Sequence, residues 1–181
     1  MVLATAAAAL AGRDEFTPAL GAFAHALQVA ETGLPAGSPA LRSLAIGGNN
    51  LAAALEEHPD RTPVETAGMV AAAEAGLKYW TLAGTWLETE RAEYRLAHSQ
   101  LAAADPRSAV ASAHRCIAVC EAHAAPAFEL FFGHAVLAQA LRAAGDGPAY
   151  EACRRRALTL LEQVPADERQ WCESERATLT T

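Results

Sequence analysis

Residues 47–55 of this chain are GGNNLAAAL, and residues 60–65, which follow closely, are DRTPVE. The first run is rich in alanine and leucine, which have high helix propensity. Thr62, Pro63 and Glu65 together form a capping box with proline in the first turn. The stretch therefore predicts the end of one helix, a tight turn and the start of the next.

The same arrangement recurs along the chain, as a Leu-Ala pair followed by an aspartate at a constant spacing. It occurs at Leu51-Ala52 with Asp60, at Leu96-Ala97 with Asp105, and at Leu137-Ala138 with Asp146. With a weaker copy at Ala6, the copies start at residues 6, 51, 96 and 137, which are 45, 45 and 41 positions apart. A nearly fixed period of this size on a helical pattern predicts a helical solenoid. In the third copy, either Leu96 or Ala97 can take the core position.

Composition favours helices throughout. Hydrophobic residues form 52% of the 181 residues but aromatic residues only 6%, because alanine supplies much of the apolar content. Valine and isoleucine are sparse, which disfavours strands. We predict one all-α domain over residues 1–181, of about nine helices in antiparallel pairs. Its expected repeat units are 2–33, 38–82, 85–123 and 127–164, followed by a capping helix at 167–178 that is anchored by Trp171.

Charge and hydropathy exclude several functional classes. The formal net charge of -7 argues against non-specific binding of nucleic acid, which needs a positive surface. The apolar segment 2–11 is too short to span a bilayer and lacks the positive region of a signal peptide. We therefore expect a cytoplasmic protein that binds neither nucleic acid nor membrane and keeps its four cysteines reduced.

Two segments carry a resemblance to a known family. Leu137–Asp146, LAQALRAAGD, resembles the first helix of a tetratricopeptide repeat and the Gly-Asp that often ends it. Asn49–Ala52, NNLA, is similar to the Asn-Asn-Leu-Ala of kinesin-light-chain-type repeats. The resemblance implies a right-handed α-α superhelix in which the first helix of each pair lines a concave groove. It also implies a scaffold for protein–protein interaction that binds a peptide or partner protein in that groove.

Five residues are predicted to bind the partner. Asn49 and Asn50 are poor helix formers in the middle of a helix, and their amides can bind a peptide backbone. The alternative is that one of them caps a loop or bridges to the adjacent helix. Arg91, Arg95 and His98 lie on neighbouring turns of a later groove-lining helix. Arginine binds carboxylates bidentately, which favours acidic partners.

Gly47 and Gly48 indicate that another group comes close to the helix backbone at this point, because each glycine costs about 1 kcal/mol relative to alanine in a helix. A neighbouring helix or a ligand would explain them. A ligand would make the protein a small-molecule sensor or an enzyme accessory subunit that uses the same groove. However, Glu88, Glu90 and Glu93 are interpreted as a charged face rather than a paired-carboxylate site, because no partner acid can be placed. We therefore expect no enzymatic activity, no catalytic residues and no cofactor.

Cys116 and Cys120 are four positions apart on a predicted helix and, with His114 or His98, could begin a zinc site. The other cysteines lie on other predicted helices, and the sequence contains no Cys-x-x-Cys motif. Cysteine is also a common small core residue. Packing in the core is therefore the favoured interpretation, and no metal site is predicted.

The N-terminal segment bears on assembly. Val2, Leu3 and Leu10 have no preceding helix to cover them, and exposed apolar surface at a repeat terminus is commonly covered by another chain. We predict a homodimer in which this end takes part. The alternative is a monomer in which the segment folds back on Leu20 and Phe23.

Overall fold

Local capping signals determine where the helices begin. Thr62 forms a complete capping box with Glu65, and Thr85 forms another with Glu88. These side chains satisfy backbone N–H groups of the first turn that have no acceptor within the helix. Three further helices are capped by side-chain oxygens of Ser38, Asp105 and Asp146.

The structure, a computed structural model, describes residues 2–180. Over that range it contains α1 (Val2–Ala11), α2 (Phe16–Glu31), α3 (Pro39–Glu57), α4 (Pro63–Ala83), α5 (Trp86–Ala102), α6 (Pro106–Ala122), α7 (Ala127–Ala143), α8 (Gly147–Gln163), a 3₁₀ turn (Arg169–Cys172) and α9 (Glu173–Thr178). These residues form no strand, which confirms the all-α prediction. None of the described helices is long and apolar enough to cross a bilayer.

The helices pack in adjacent pairs. The pairs α3 with α4, α5 with α6, and α7 with α8 make the most extensive contacts, and α1 packs on α2 about as extensively as successive pairs pack on each other. The first helices of successive pairs also touch, so that α1, α3, α5 and α7 contact one another in order. This arrangement fits a helical repeat, and it creates one surface built from odd-numbered helices.

Backbone contact between α3 and α4 explains one of the two adjacent glycines. A Cβ atom on Gly48 would lie 2.5 Å from the carbonyl oxygen of Ala72 and 2.7 Å from the backbone nitrogen of Gly76. Both are backbone atoms and cannot move aside. Of the two alternatives, the approach of a neighbouring helix therefore accounts for Gly48. Gly47 faces the ring of Phe23, where a Cβ would be 3.3 Å from the nearest ring carbon.

The apolar interior consists of two clusters that meet at α5. Leu96 belongs to the first, which extends back to Ala7, whereas Ala97 belongs to the second, which extends to Leu179. Both residues are buried. Leu96 and Ala97 therefore both occupy core positions, and each packs in a different cluster.

The prediction that Trp171 anchors the last helix is wrong. Its side chain is 69% exposed, whereas Cys172, Glu175 and Leu179 are buried. The cause is the 3₁₀ turn Arg169–Cys172, whose three residues per turn change which side chains face inward compared with a continuous α-helix.

The N-terminal helix packs on its neighbours. Helix α1 contacts α2 and α3, and Leu3 and Leu10 are half-buried against the first cluster. The prediction of uncovered apolar residues at this end also names Val2, whose side chain lies outside the described part of the structure. Beside Leu3, an apolar hollow of about 280 Å³ remains open, and Val29 on its wall is 51% exposed.

Candidate functional site

A groove of about 310 Å³ lies on the surface formed by the odd-numbered helices. Three helices supply its walls. Its lining residues are Asn49, Asn50 and Ala53 of α3, Glu90, Arg91, Tyr94 and Arg95 of α5, and Phe128, Glu129 and Phe132 of α7.

The same residue spacing on all three helices explains why these side chains line one groove. Each of the three helices contributes residues i, i+1 and i+4, which share one face of an α-helix at 3.6 residues per turn. Because α3, α5 and α7 lie side by side, these faces together form one surface. Four of the five predicted binding residues, Asn49, Asn50, Arg91 and Arg95, therefore line a single groove.

The two asparagines have different surroundings. Asn49 Oδ1 is buried against Gly76 of α4, where an added Cβ would collide with it, and it has no hydrogen-bond donor. Asn50 is exposed. Asn49 thus reaches the adjacent helix, as the alternative interpretation expected for one of the pair, while the amide of Asn50 is accessible from the groove.

Both groove arginines are engaged within the chain. Arg91 donates to both carboxylate oxygens of Glu129, over 2.5 and 3.4 Å. Arg95 pairs with Glu56, which also accepts a hydrogen bond of 2.6 Å from the Ser99 hydroxyl. An acidic partner must therefore compete with Glu129 or Glu56 for these guanidinium groups.

Aromatic rings form the wall on the α7 side. The rings of Phe128 and Phe132 lie 5.0 Å apart, and Phe132 meets Tyr94 edge-on at 5.6 Å. Phe128, Phe132 and Tyr94 are each only half-buried. Such rings expose apolar surface that an inserted apolar side chain would cover.

His98 lies on α5 beyond the groove and contacts the chain's own C-terminal helix. Its Nε2 is 3.3 Å from Glu175 Oε1, and the same carboxylate accepts hydrogen bonds of 2.6 Å from Tyr94 Oη and Gln139 Nε2. Burial pushes the pKa of Glu175 upward, but the close contact with His98 and the hydrogen bonds from Tyr94 and Gln139 outweigh burial and lower it. An acidic side chain thus already binds this part of the odd-helix surface.

Glu88, Glu90 and Glu93, interpreted from sequence as a charged face with no partner acid, do not share one environment. Glu90 and Glu93 are buried, at 1% and 6% exposure, between α5 and α6. Glu93 accepts a hydrogen bond of 2.8 Å from Arg115 Nε. Glu88 caps the start of α5 at Thr85. Arg115 on α6 therefore offsets part of the cost of burying Glu93.

Glu90 lies where the groove meets the α5–α6 interface. Its Oε2 is 3.4 Å from Cys116 Sγ and 3.7 Å from Cys120 Sγ. Burial, with the nearby Glu129 carboxylate and Cys120, raises the pKa of Glu90 well above its usual range. The partner acid that the sequence did not reveal is therefore Glu129, on α7.

Neither histidine proposed beside the two thiols joins them. His98 contacts Glu175, and His114 is exposed on α6. A periodic signal could have identified Glu90 instead, because Glu90, Glu93, Ala97 and Gln100 follow the spacing of an inward helix stripe, and all four are buried.

Neither family models, nor curated proteins, nor solved structures yield a match to the chain.

Proposed function

We propose that this protein is an interaction scaffold of the tetratricopeptide type, a right-handed α-α superhelix whose groove binds a segment of a partner protein. The observation that supports this most is the groove itself, with walls from α3, α5 and α7 at one shared residue spacing. In such arrays, stacked helix pairs create an extended concave surface suited to a peptide or helix.

The chemistry of the groove suggests what the segment contains. The charges of Arg91 and Arg95 are offset by Glu129 and Glu56, so net charge is not the main attraction. Among the groove residues, the aromatic wall and the exposed amide of Asn50 are free of ion pairs within the described chain, whereas the exposed Arg91 is paired with Glu129. We expect a segment that inserts one apolar or aromatic side chain beside Phe132 while Asn50 hydrogen-bonds its backbone.

The C-terminal helix supports an acidic residue next to that anchor. Glu175 of α9 lies on the odd-helix surface and is held by Tyr94, His98 and Gln139. A partner carboxylate bound in the adjacent groove would pair with Arg91 or Arg95. It would displace Glu129 from Arg91 or Glu56 from Arg95. The proposed partner motif is therefore an apolar anchor flanked by an acid.

A second candidate is a sensor of small molecules or an accessory subunit of an enzyme. The volume of about 310 Å³ favours it, since pockets for small ligands start near this size. Native mass spectrometry of the purified protein separates the two candidates. A bound metabolite that stabilises the chain in a thermal-shift assay would favour the sensor over the scaffold.

The scaffold is tested by quantitative pull-down from the native lysate with matched variants. Asn50→Ala and Phe132→Ala remove the accessible amide and the aromatic wall. Gln28→Ala and Trp171→Ala are the controls, because both residues are exposed on other parts of the surface. We expect one set of partners to be lost with both groove variants and kept with both controls. Equal retention in all four would overturn the groove assignment.

We also propose that the N-terminal end mediates a homodimer. The open apolar hollow beside Leu3, walled by Val29 and Leu34, supports this, because burial of apolar surface drives association.

A further inference from the structure

The interface between α5 and α6 is unusual for a helix pair because its buried face is polar. Glu90, Glu93 and Gln100 of α5 are all buried there. Two of the three have strong partners, since Arg115 Nε donates to Glu93 over 2.8 Å and Ser112 donates to Gln100 over 2.8 Å. Buried polar groups are normally satisfied in this way.

Glu93 Oε2 is also buried without a partner, but the other oxygen of that carboxylate is paired with Arg115. Glu90 is less well satisfied, because its Oε2 has only the thiols of Cys116 and Cys120 as donors, at 3.4 and 3.7 Å, and thiols are weak donors. Its Oε1 is buried without a hydrogen-bond donor, and Arg91 Nε stays 3.6 Å away. A carboxyl group that is 1% exposed and so poorly satisfied requires an explanation, one of which is a bound ion.

The same three side chains have the geometry of a metal site. One carboxylate oxygen of Glu90 and the sulfurs of Cys116 and Cys120 all lie within 4.8 Å of one another. Tetrahedral zinc with bonds of about 2.3 Å to sulfur and about 2.1 Å to oxygen separates its ligands by about 3.6–3.8 Å. The measured separations of 3.4 and 3.7 Å between Glu90 and the two sulfurs need little adjustment.

We propose that Glu90, Cys116 and Cys120 bind a zinc ion between α5 and α6. Thiolate ligands exclude magnesium and calcium, which prefer oxygen, and the carboxylate favours zinc over copper(I). The cysteines, four positions apart on α6, present both sulfurs from one helix face. On binding, both thiols lose their protons to solvent, and the two thiolates and the carboxylate coordinate the ion.

An entry path and a fourth ligand are both available. Glu90 lines the floor of the groove, so an ion can approach it from solvent. Glu129 lines the same groove as Glu90, and Arg91 lies 3.6 Å from Glu90 Oε1 and 2.5 Å from Glu129 Oε1. The fourth position is therefore filled by Glu129 or by a groove water, and three protein ligands with one such position is a known zinc arrangement.

The test is titration of the reduced, tag-free full chain with Zn²⁺, and with Co²⁺ as a spectroscopic substitute. We expect one Zn²⁺ per chain, a rise in melting temperature, and a thiolate-to-Co²⁺ absorption band. Cys116→Ser should weaken binding by at least about tenfold and reduce the band. Cys153→Ser is the matched control, because Cys153 is a buried cysteine outside the cluster.

Two outcomes would overturn the site. One is a helical wild-type chain that neither retains Zn²⁺ nor shows a Co²⁺–thiolate band. The other is a band that Cys116→Ser and Cys120→Ser leave unchanged, or that Cys153→Ser removes equally. Since circular dichroism of the wild type establishes folding independently, a misfolded variant cannot hide the first outcome.

Discussion

The hydroxyl oxygen of Tyr94 lies 2.6 Å from Oε1 of Glu175, although 81 positions separate the two residues in the chain. The contact ties the C-terminal helix to the surface that forms the groove. Gln139 and His98 meet the same carboxylate, so that α5, α7 and α9 are joined at one acid.

Replacing that acid should loosen the C-terminus. Glu175→Ala leaves the half-buried donors of Tyr94 and Gln139 without their acceptor, and we expect the free energy of unfolding to fall by about 2 kcal/mol. Urea denaturation measures the change. Glu173→Ala is the control, since its pair with Arg176 is exposed and should contribute below about 1 kcal/mol. Equal losses in the two variants would contradict a special role for Glu175.

The same carboxylate should make stability sensitive to acid. Its pKa in the folded chain is lowered from 4.5, so the unfolded chain binds a proton more readily. The contribution of Glu175 is therefore present above the unfolded pKa and is lost as pH falls through the folded pKa. Melting temperatures between pH 3 and pH 6 should decline less steeply in Glu175→Gln than in the native chain. Parallel curves would exclude this origin of the acid sensitivity.

The backbone contact at Gly48 should not tolerate a methyl group. We expect Gly48→Ala to destabilise the protein by about 1–3 kcal/mol, because the clash with Ala72 and Gly76 outweighs the gain in helix propensity. Gly21→Ala supplies the comparison. A Cβ there meets nothing within 4 Å, and the substitution should stabilise the chain by up to about 1 kcal/mol. A stabilising Gly48→Ala would show that the helices can separate freely.

Light scattering tests the homodimer. We expect the intact chain to have twice its monomer mass at tens of micromolar, and Val29→Glu to shift it toward monomer, because a charge in the apolar hollow opposes its burial. Leu82→Glu is the control, since Leu82 is exposed on α4 away from that hollow. A monomeric intact chain at this concentration would rule out the dimer.

The features predicted well from sequence are those that short-range chemistry determines. Thr62 with Glu65 marks a helix start because the capping box is complete within four residues. The groove face of α5 was partly visible as well, through Arg91 and Arg95. Their partners Glu129 and Glu56 were not, because those contacts span 38 and 39 positions and depend on how the helices stack.

The buried acids and Trp171 were misjudged for related physical reasons. The sequence places Glu90 on a charged face with no partner acid, yet thiols and a second acid on other helices surround it. Trp171 was assigned to the core by its size, whereas a change of helix type directs it outward. In both cases the deciding information lies in tertiary packing or in a local departure from the α-helix.

The division of the apolar interior at α5 lies directly beneath the groove. Asn50 stands on the half that contains Leu96, and Phe132 packs on the half that contains Ala97. A segment that touched both Asn50 and Phe132 would therefore connect the two halves of the array, in addition to the contacts that α5 already makes with each of them.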